Sequence, residues 1–154
     1  MFGGFAIARE DPRAADVRAL LGELDAYLFA LYPAESNHIL DVDSLAGADV
    51  AFFVIRREGA PVACGALVNR DGDYGELKRL YVKPESRGQG LSRIVLAQIE
   101  TAARLLQLPA IRLETGTRQP EALRFFEAAG FARCGVFGDY PADDPYCVFM
   151  EKAL

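Results

Sequence analysis

The chain is poor in the groups that build metal centres, disulfide frameworks and membrane anchors. It has one histidine, His38, and three cysteines. Cys64, Cys134 and Cys147 are odd in number and lack metal-ligand spacing, so they read as buried, reduced thiols of a cytosolic protein. One histidine makes no metal site, and no metal is expected. No early segment carries the apolar run of a signal peptide, and no stretch is long enough to span a bilayer. The expectation is therefore a cytoplasmic protein with no membrane partner. Positive charge is also in short supply, with 17 Lys and Arg against 22 Asp and Glu and a net charge of -5. Nucleic acid is excluded as a partner on that ground, because phosphate binding needs a basic footprint. Two nucleotide motifs are missing as well: there is no G-x-x-x-x-G-K-[ST], and Arg87 to Ser92 does not form G-x-G-x-x-G. Linkers, internal repeats and low-complexity runs are absent, which leaves a single domain over residues 1–154.

What is present is a large apolar fraction, 51%, arranged with clear periods. Phe5 to Arg9 alternates weakly as a first strand. Asp11-Pro12 predicts a helix start, with Asp11 as N-cap and Pro12 at the first helical position. Val17, Leu20, Leu21, Leu24, Leu28 and Leu31 then recur at the helical period, up to Pro33. Residues 34–48 are polar and mixed, with room for a second short helix. Val50 to Arg56, Val62 to Asn69 and Glu76 to Val82 read as strands joined by the turns Gly59-Ala60-Pro61 and Asp71-Gly72-Asp73, hence an antiparallel meander. Leu91, Ile94, Val95, Ile99, Ala102, Ala103 and Leu106 mark a long amphipathic helix. Ala110 to Glu114 is a strand, and Pro120 to Ala129 a helix stopped by Gly130. Phe131 to Phe137 and Tyr146 to Glu151 read as two closing strands. The fold class is α+β: a mixed, mostly antiparallel sheet flanked by helices.

Between the third meander strand and the long helix lies Leu80-Tyr81-Val82-Lys83-Pro84-Glu85-Ser86-Arg87-Gly88-Gln89-Gly90-Leu91-Ser92. A strand ends at a proline, turns through small residues and opens a helix. Such a turn leaves backbone N–H groups unpaired at the positive end of the helix dipole, which makes an anion site.

With these residues and this order of elements, the chain resembles the GNAT superfamily of acyl-CoA-dependent N-acetyltransferases. Its diphosphate motif, Gln/Arg-x-x-Gly-x-Gly/Ala, reads here Arg87-Gly88-Gln89-Gly90-Leu91-Ser92, with serine at the departing last position. A second landmark, a helix ending in Gly-Phe, is matched by Phe125-Phe126-Glu127-Ala128-Ala129-Gly130-Phe131. The resemblance implies that N–H groups of Arg87, Gly88, Gln89, Gly90, Leu91 and Ser92 hold the coenzyme A diphosphate. It implies too that the backbone of Leu80, Tyr81 and Val82 lines the pantetheine arm, an N–H of Leu80 or Tyr81 facing the thioester oxygen. Gln119 stands where the family often has an asparagine that bonds the arm, and Phe126 is counted with the cofactor-contacting residues.

Acetyl transfer needs an amine without its extra proton, a stabilised carbonyl oxygen and a departing thiolate. Glu76 precedes Arg87 by the same interval as the general base of histone-type members, and is the expected base; the alternative is a salt bridge to Lys78 or Arg79. Many members place an acidic tyrosine where this chain has Phe126. Tyr140 is the expected substitute and Tyr81 another, each weighed against a packing or substrate-wall role. The loop from Gly138 to Pro145 carries three acidic groups and would favour a cationic amine, or be a solvated turn. Tyr32, Glu35, Asn37 and His38 are candidates for the opposite wall.

The implied activity is transfer of an acetyl group from acetyl-CoA to a primary amine, small-molecule or peptide, in a ternary complex. A homodimer is among the family's habits. The rival from another class is a catalytically weak acyl-CoA-binding or sensing protein on the same fold, motivated by Phe126.

Overall fold

A run such as Phe52-Phe53-Val54-Ile55, apolar at every position, suits a strand covered on both faces. The computed structural model of the chain, which describes residues 4–154, shows both covers. Strands β1 (Phe5–Arg9), β2 (Val50–Arg57), β3 (Ala60–Arg70), β4 (Tyr74–Val82), β5 (Ala110–Gly116), β6 (Ala132–Arg133) and β7 (Cys147–Ala153) are joined with helices α1 (Ala15–Leu31), α2 (Val42–Leu45), α3 (Leu91–Leu105) and α4 (Pro120–Ala128). Short 3-10 turns at Ala34–Ser36 and Pro84–Ser86 complete the list. Among the described residues the strands form one sheet in the order β1-β2-β3-β4-β5-β7-β6. Neighbours are antiparallel except β4 and β5, which run parallel. The expected mostly antiparallel α+β architecture is therefore the one observed. No helix among the described residues is long and apolar enough to cross a membrane.

The alternation of β2 sorts the two covers. Phe52 and Val54 pack with Val17, Leu20, Leu21 and Leu24 of α1. Phe53 and Ile55 pack with Leu91, Val95, Leu96 and Ile99 of α3, a cluster that continues to Phe126 and Phe131 at the end of α4. Each face removes large apolar side chains from water, at about 1.5–3 kcal/mol for a fully buried one.

Local chemistry explains where the helices stop, and one place where the expectation fails. Helix α4 ends in a Schellman arrangement: Phe131 N–H donates to Phe126 O at 3.0 Å and Gly130 N–H to Glu127 O at 3.1 Å. Gly130 has φ +98°, a conformation glycine adopts without a Cβ penalty. Helix α1, by contrast, begins at Ala15 rather than Pro12. Asp11 spends its carboxylate on the N–H of Arg13 at 2.9 Å and on the Arg13 guanidinium, and its carbonyl accepts from Ala14. That local turn delays the helix by about a turn.

Two further expectations are corrected. Phe131 to Phe137 is not a full strand: β6 is confined to Ala132–Arg133, with one added bond from Cys134 N–H to Phe149 O. Phe137 instead turns inward and meets Tyr74, Tyr140 and Phe149 edge-on, so aromatic burial wins over ladder extension. Of the three cysteines only Cys64 is buried; Cys134 and Cys147 are half-buried, and all are free thiols.

Strands β3 and β4 carry an irregularity that matters later. Cys64 faces Tyr81 and Ala66 faces Lys78, so Gly65 opposes two residues, Arg79 and Leu80. Arg79 has φ +60°, and its guanidinium is held by Asp25 of α1 and by Leu40 O at 3.1 Å. This is a β-bulge, and a bulge bends its strand. Gly65 permits it to be covered closely, since a Cβ there would lie 2.6 Å from Val95 Cγ1. Gly65→Ala is expected to cost about 1–3 kcal/mol by overpacking, measured as a lower urea midpoint with unchanged slope.

Candidate active site

The bent strand opens a cleft. Residues of β4 and β5 are paired at Gly75 with Ile111 and at Glu76 with Arg112, and no further along. Beyond that point Leu77 to Val82 and Leu113 to Gly116 become the two lips of a cavity of about 420 Å³. Its outer wall is α1 and the segment after it, through Tyr27, Leu28, Tyr32 and His38; its inner end is closed by Phe125 and Phe126 of α4. The β5-facing backbone edge of Leu80, Tyr81 and Val82 has no strand beside it, as an extended ligand arm would require.

A second hollow, of about 250 Å³, adjoins the first at Arg87, Ser92 and Phe125. Gly88, Gly90, Leu91 and Arg93 also line it. Gly88 and Gly90 both have φ +78°, and a Cβ on either would enter open space. Helix α3 starts at Gly90 without a side-chain cap. Its first turn closes with Ile94 N–H on Gly90 O, so the N–H groups of Leu91, Ser92 and Arg93 precede any helical acceptor. Bare N–H groups, a positive helix end and the Arg87 and Arg93 guanidiniums suit a diphosphate. Arg87 is steadied by a bond from Nε to Val82 O at 3.1 Å. The Leu91 side chain is buried in the core and Gln89 does not line the hollow, so these two positions offer it main chain at most.

Tyr32 crosses from the end of α1 to the far lip. Its hydroxyl accepts from Arg118 N–H at 3.1 Å and donates to Gln119 Oε1 at 3.1 Å. That fixes the Gln119 amide with its NH₂ free. The hydroxyl fits only because residue 116 is glycine: a Cβ there would lie 1.9 Å from the Tyr32 oxygen. Phe126 is buried and meets Phe125 and Phe131 edge-on.

Glu76 and Tyr140 are brought together, though neither lines the cleft. Glu76 is 1% exposed. Arg70 Nε donates to its Oε1 at 2.9 Å, the Tyr140 hydroxyl donates to its Oε2, and Lys78 Nζ stands 3.8 Å away. The cation beside it is thus Arg70, with Lys78 second; Arg79 is taken by Asp25. Lys78 donates to the Tyr140 oxygen at 2.7 Å and to His38 O at 2.9 Å. Burial, with the Glu76 charge next, pushes the Tyr140 phenol far above its usual range, and burial lowers Lys78. Tyr81 is a buried part of the lip, its phenol raised by burial.

Two carboxyls line the cleft, Glu121 at the start of α4 and Glu114 at the carboxyl end of β5, and Glu114 is the more buried. Burial pushes it up to about 7, against the pull of Lys78 and the Cys147 thiol. A carboxyl held near neutrality in a cleft is a functional candidate. It was not among the residues expected from the sequence; its place at the end of a strand next to a crossover was the available signal. Of the acidic loop, Asp139 and Asp143 point to solvent, and Asp144 turns inward to Tyr146 N–H at 2.9 Å and His38. Asn37 and His38 line the cleft and Glu35 does not.

Comparison with known proteins agrees with this geometry. The model of the acetyltransferase (GNAT) family matches residues 17–131. An IAA acetyltransferase of Azospirillum brasilense is 48% identical over 96% of this chain and 97% of its own. A crystal structure from Klebsiella pneumoniae, described as an acyl-CoA N-acyltransferase, superposes with a TM-score of 0.81 at 34% identity, covering 97% of each chain. The PaiA N-acetyltransferase of Thermoplasma acidophilum in complex with coenzyme A shares the fold at 16% identity, with a TM-score of 0.73 over 97% of this chain and 99% of that one.

The Tyr32–Gly116 contact is open to direct measurement. Gly116→Ala should destabilise by about 1–3 kcal/mol, and the cost should largely vanish in a Tyr32→Ala background, as a double-mutant cycle would read it.

Proposed function

The chain belongs to the GNAT family of acetyltransferases, and from that premise we propose that it moves an acetyl group from acetyl-CoA directly to a primary amine, small-molecule or peptide, in a ternary complex. The observation that carries this reading is the parting of β4 from β5, with the Gly88–Gly90 hollow at one end of the gap and Glu114 in its wall. Acetyl-CoA, when bound, supplies an acyl group already activated as a thioester. The residues of the hollow fit its diphosphate: N–H groups of Leu91 and Ser92 with the Arg87 guanidinium. The free edge of Leu80 to Val82 and the NH₂ of Gln119 fit its arm.

The remaining steps fall to the chain. An N–H of Leu80 or Tyr81 stands at the open edge of β4, where it can donate to an acyl oxygen as charge develops. Glu114 takes the proton of the incoming amine, directly or through one water, since a carboxyl near neutrality both accepts and releases a proton at pH 7. We give this role to Glu114 rather than Glu76. Glu76 is occupied by Arg70 and Tyr140 and serves to hold the loop around Tyr140 against the sheet. No acid is needed at Phe126, because coenzyme A can depart as the thiolate, whose conjugate thiol has a pKa of only about 8.5, and the Tyr32 hydroxyl hydrogen is committed to Gln119. Phe126 also supports the second reading, a weak acyl-CoA-binding or sensing protein; higher turnover in Phe126→Tyr would favour it.

Two measurements test the proposal. Acetyl-CoA at a hundred times its Kd should stabilise the protein by about 2.7 kcal/mol, seen as a rise in Tm; Gly90→Val should weaken that rise, since its side chain enters the hollow from a strained backbone. Glu114→Gln should lower kcat by about 10²–10⁴-fold with acetyl-CoA affinity and Tm unchanged. Glu76→Gln should instead lower Tm, with a smaller effect on kcat. The reverse pattern would move the base to Glu76.

A further inference from the structure

Three donor atoms from distant parts of the chain converge beside the acceptor end of the cleft, and the acyl-transfer scheme uses none of them. They are a ring nitrogen of His38, a carboxylate oxygen of Asp144 and Sγ of Cys147, all within 4.8 Å of one another. His38 follows α1 and the 3-10 turn, Asp144 lies in the loop after β6, and Cys147 opens β7.

The spacing is informative. His38 Nε2 and Asp144 Oδ2 are 3.4 Å apart. A charge-assisted N–H···O bond runs at about 2.7–2.9 Å, so the pair is loose as a hydrogen bond. A tetrahedral ion with ligand bonds of about 2.0–2.2 Å has edges of about 3.4 Å. The pair already stands at that edge length.

The surroundings are those of supported ligands. Asp144 Oδ1 accepts from Tyr146 N–H at 2.9 Å, which turns Oδ2 toward His38. The Tyr140 ring meets the His38 imidazole edge-on at 5.4 Å and fixes its plane. Such partners orient metal ligands. The thiol of Cys147 lies against the carboxyls of both Glu114 and Asp144. All three residues keep part of their surface exposed, and His38 lines the cleft.

We propose that His38, Asp144 and Cys147 form a binding site for a divalent cation of the zinc class, which bridges the segment after α1 to the loop between β6 and β7. The donor set, one imidazole nitrogen, one carboxylate oxygen and one thiolate sulfur, suits zinc or cobalt(II) and not magnesium or calcium. Binding forms a metal–sulfur bond and releases the thiol proton to solvent. The fourth position is open to water or to Glu114.

Cobalt(II) titration of the reduced, metal-free protein tests the site without any assay of acetyl transfer. One equivalent should produce a near-ultraviolet thiolate-to-cobalt charge-transfer band with intense visible bands of a tetrahedral ion, both removed by one equivalent of zinc. Cys147→Ser should abolish the charge-transfer band, His38→Asn should weaken cobalt binding at least tenfold, and Cys134→Ser should leave the spectrum unchanged. Zinc should also raise Tm in the wild type and not in Cys147→Ser. Absence of the band in the wild type, or its persistence in a folded Cys147→Ser, would overturn the site.

Discussion

Strand β4 lies against β5 through Gly75 and Glu76 alone, and the site depends on where that contact ends. A parallel pair that continued would consume the backbone edge of Leu80 to Val82 and close the gap. What stops it is the bulge opposite Gly65, where Arg79 takes a positive φ and is held by Asp25 and Leu40. The cost of an unusual backbone conformation for a non-glycine residue, about 1–3 kcal/mol, is offset by a largely buried ion pair to α1. The helix that covers one face of the sheet therefore also holds the deformation that opens the cleft.

Glu76 sits at the hinge of this opening. Its carboxylate gathers Arg70, Tyr140 and Lys78, and through Lys78 reaches His38 O on the opposite wall. Breaking such a buried pair leaves an uncompensated charge, which costs about 3–5 kcal/mol. A conspicuous acid on a central strand can thus be a fastener as readily as a base. The distinction lies in whether an oxygen is left facing the cleft, as at Glu114, or is already bonded on both sides.

Features governed by a few neighbouring residues were legible in the sequence. Gly88 and Gly90 at a helix start, the Gly130-Phe131 stop and the Asp71-Gly72-Asp73 turn are local chemistry, and the structure places each where it was expected; the first meander turn falls one residue earlier than expected, at Glu58–Gly59, with Ala60 and Pro61 already paired in β3. Asp11 misleads because two local outcomes compete, a cap and a tight turn, and Arg13 tips the balance to the turn. Phe137 misleads because its alternation is real but its partners, Tyr74 and Phe149, come from other strands. Glu114 carried only a faint signal for a related reason. Arg112 and Glu114 alternate with buried Ile111 and Leu113, which reads as an ordinary solvent face; only the sheet order shows that this face meets α1 across a gap. The gathering of His38, Asp144 and Cys147 is likewise a product of topology, with no trace in spacing.

The two walls of the cleft belong to different apolar clusters, α1 on one face of the sheet and α4 on the other. Tyr32 is a strut between them, and Arg118 N–H ends on its hydroxyl. That amide gives the molecule an internal gauge. When the walls separate, the proton on Arg118 loses its acceptor and becomes free to exchange with solvent, while amides in the β2–β3 ladder stay protected. Its exchange rate therefore follows the fraction of molecules in which the walls are parted.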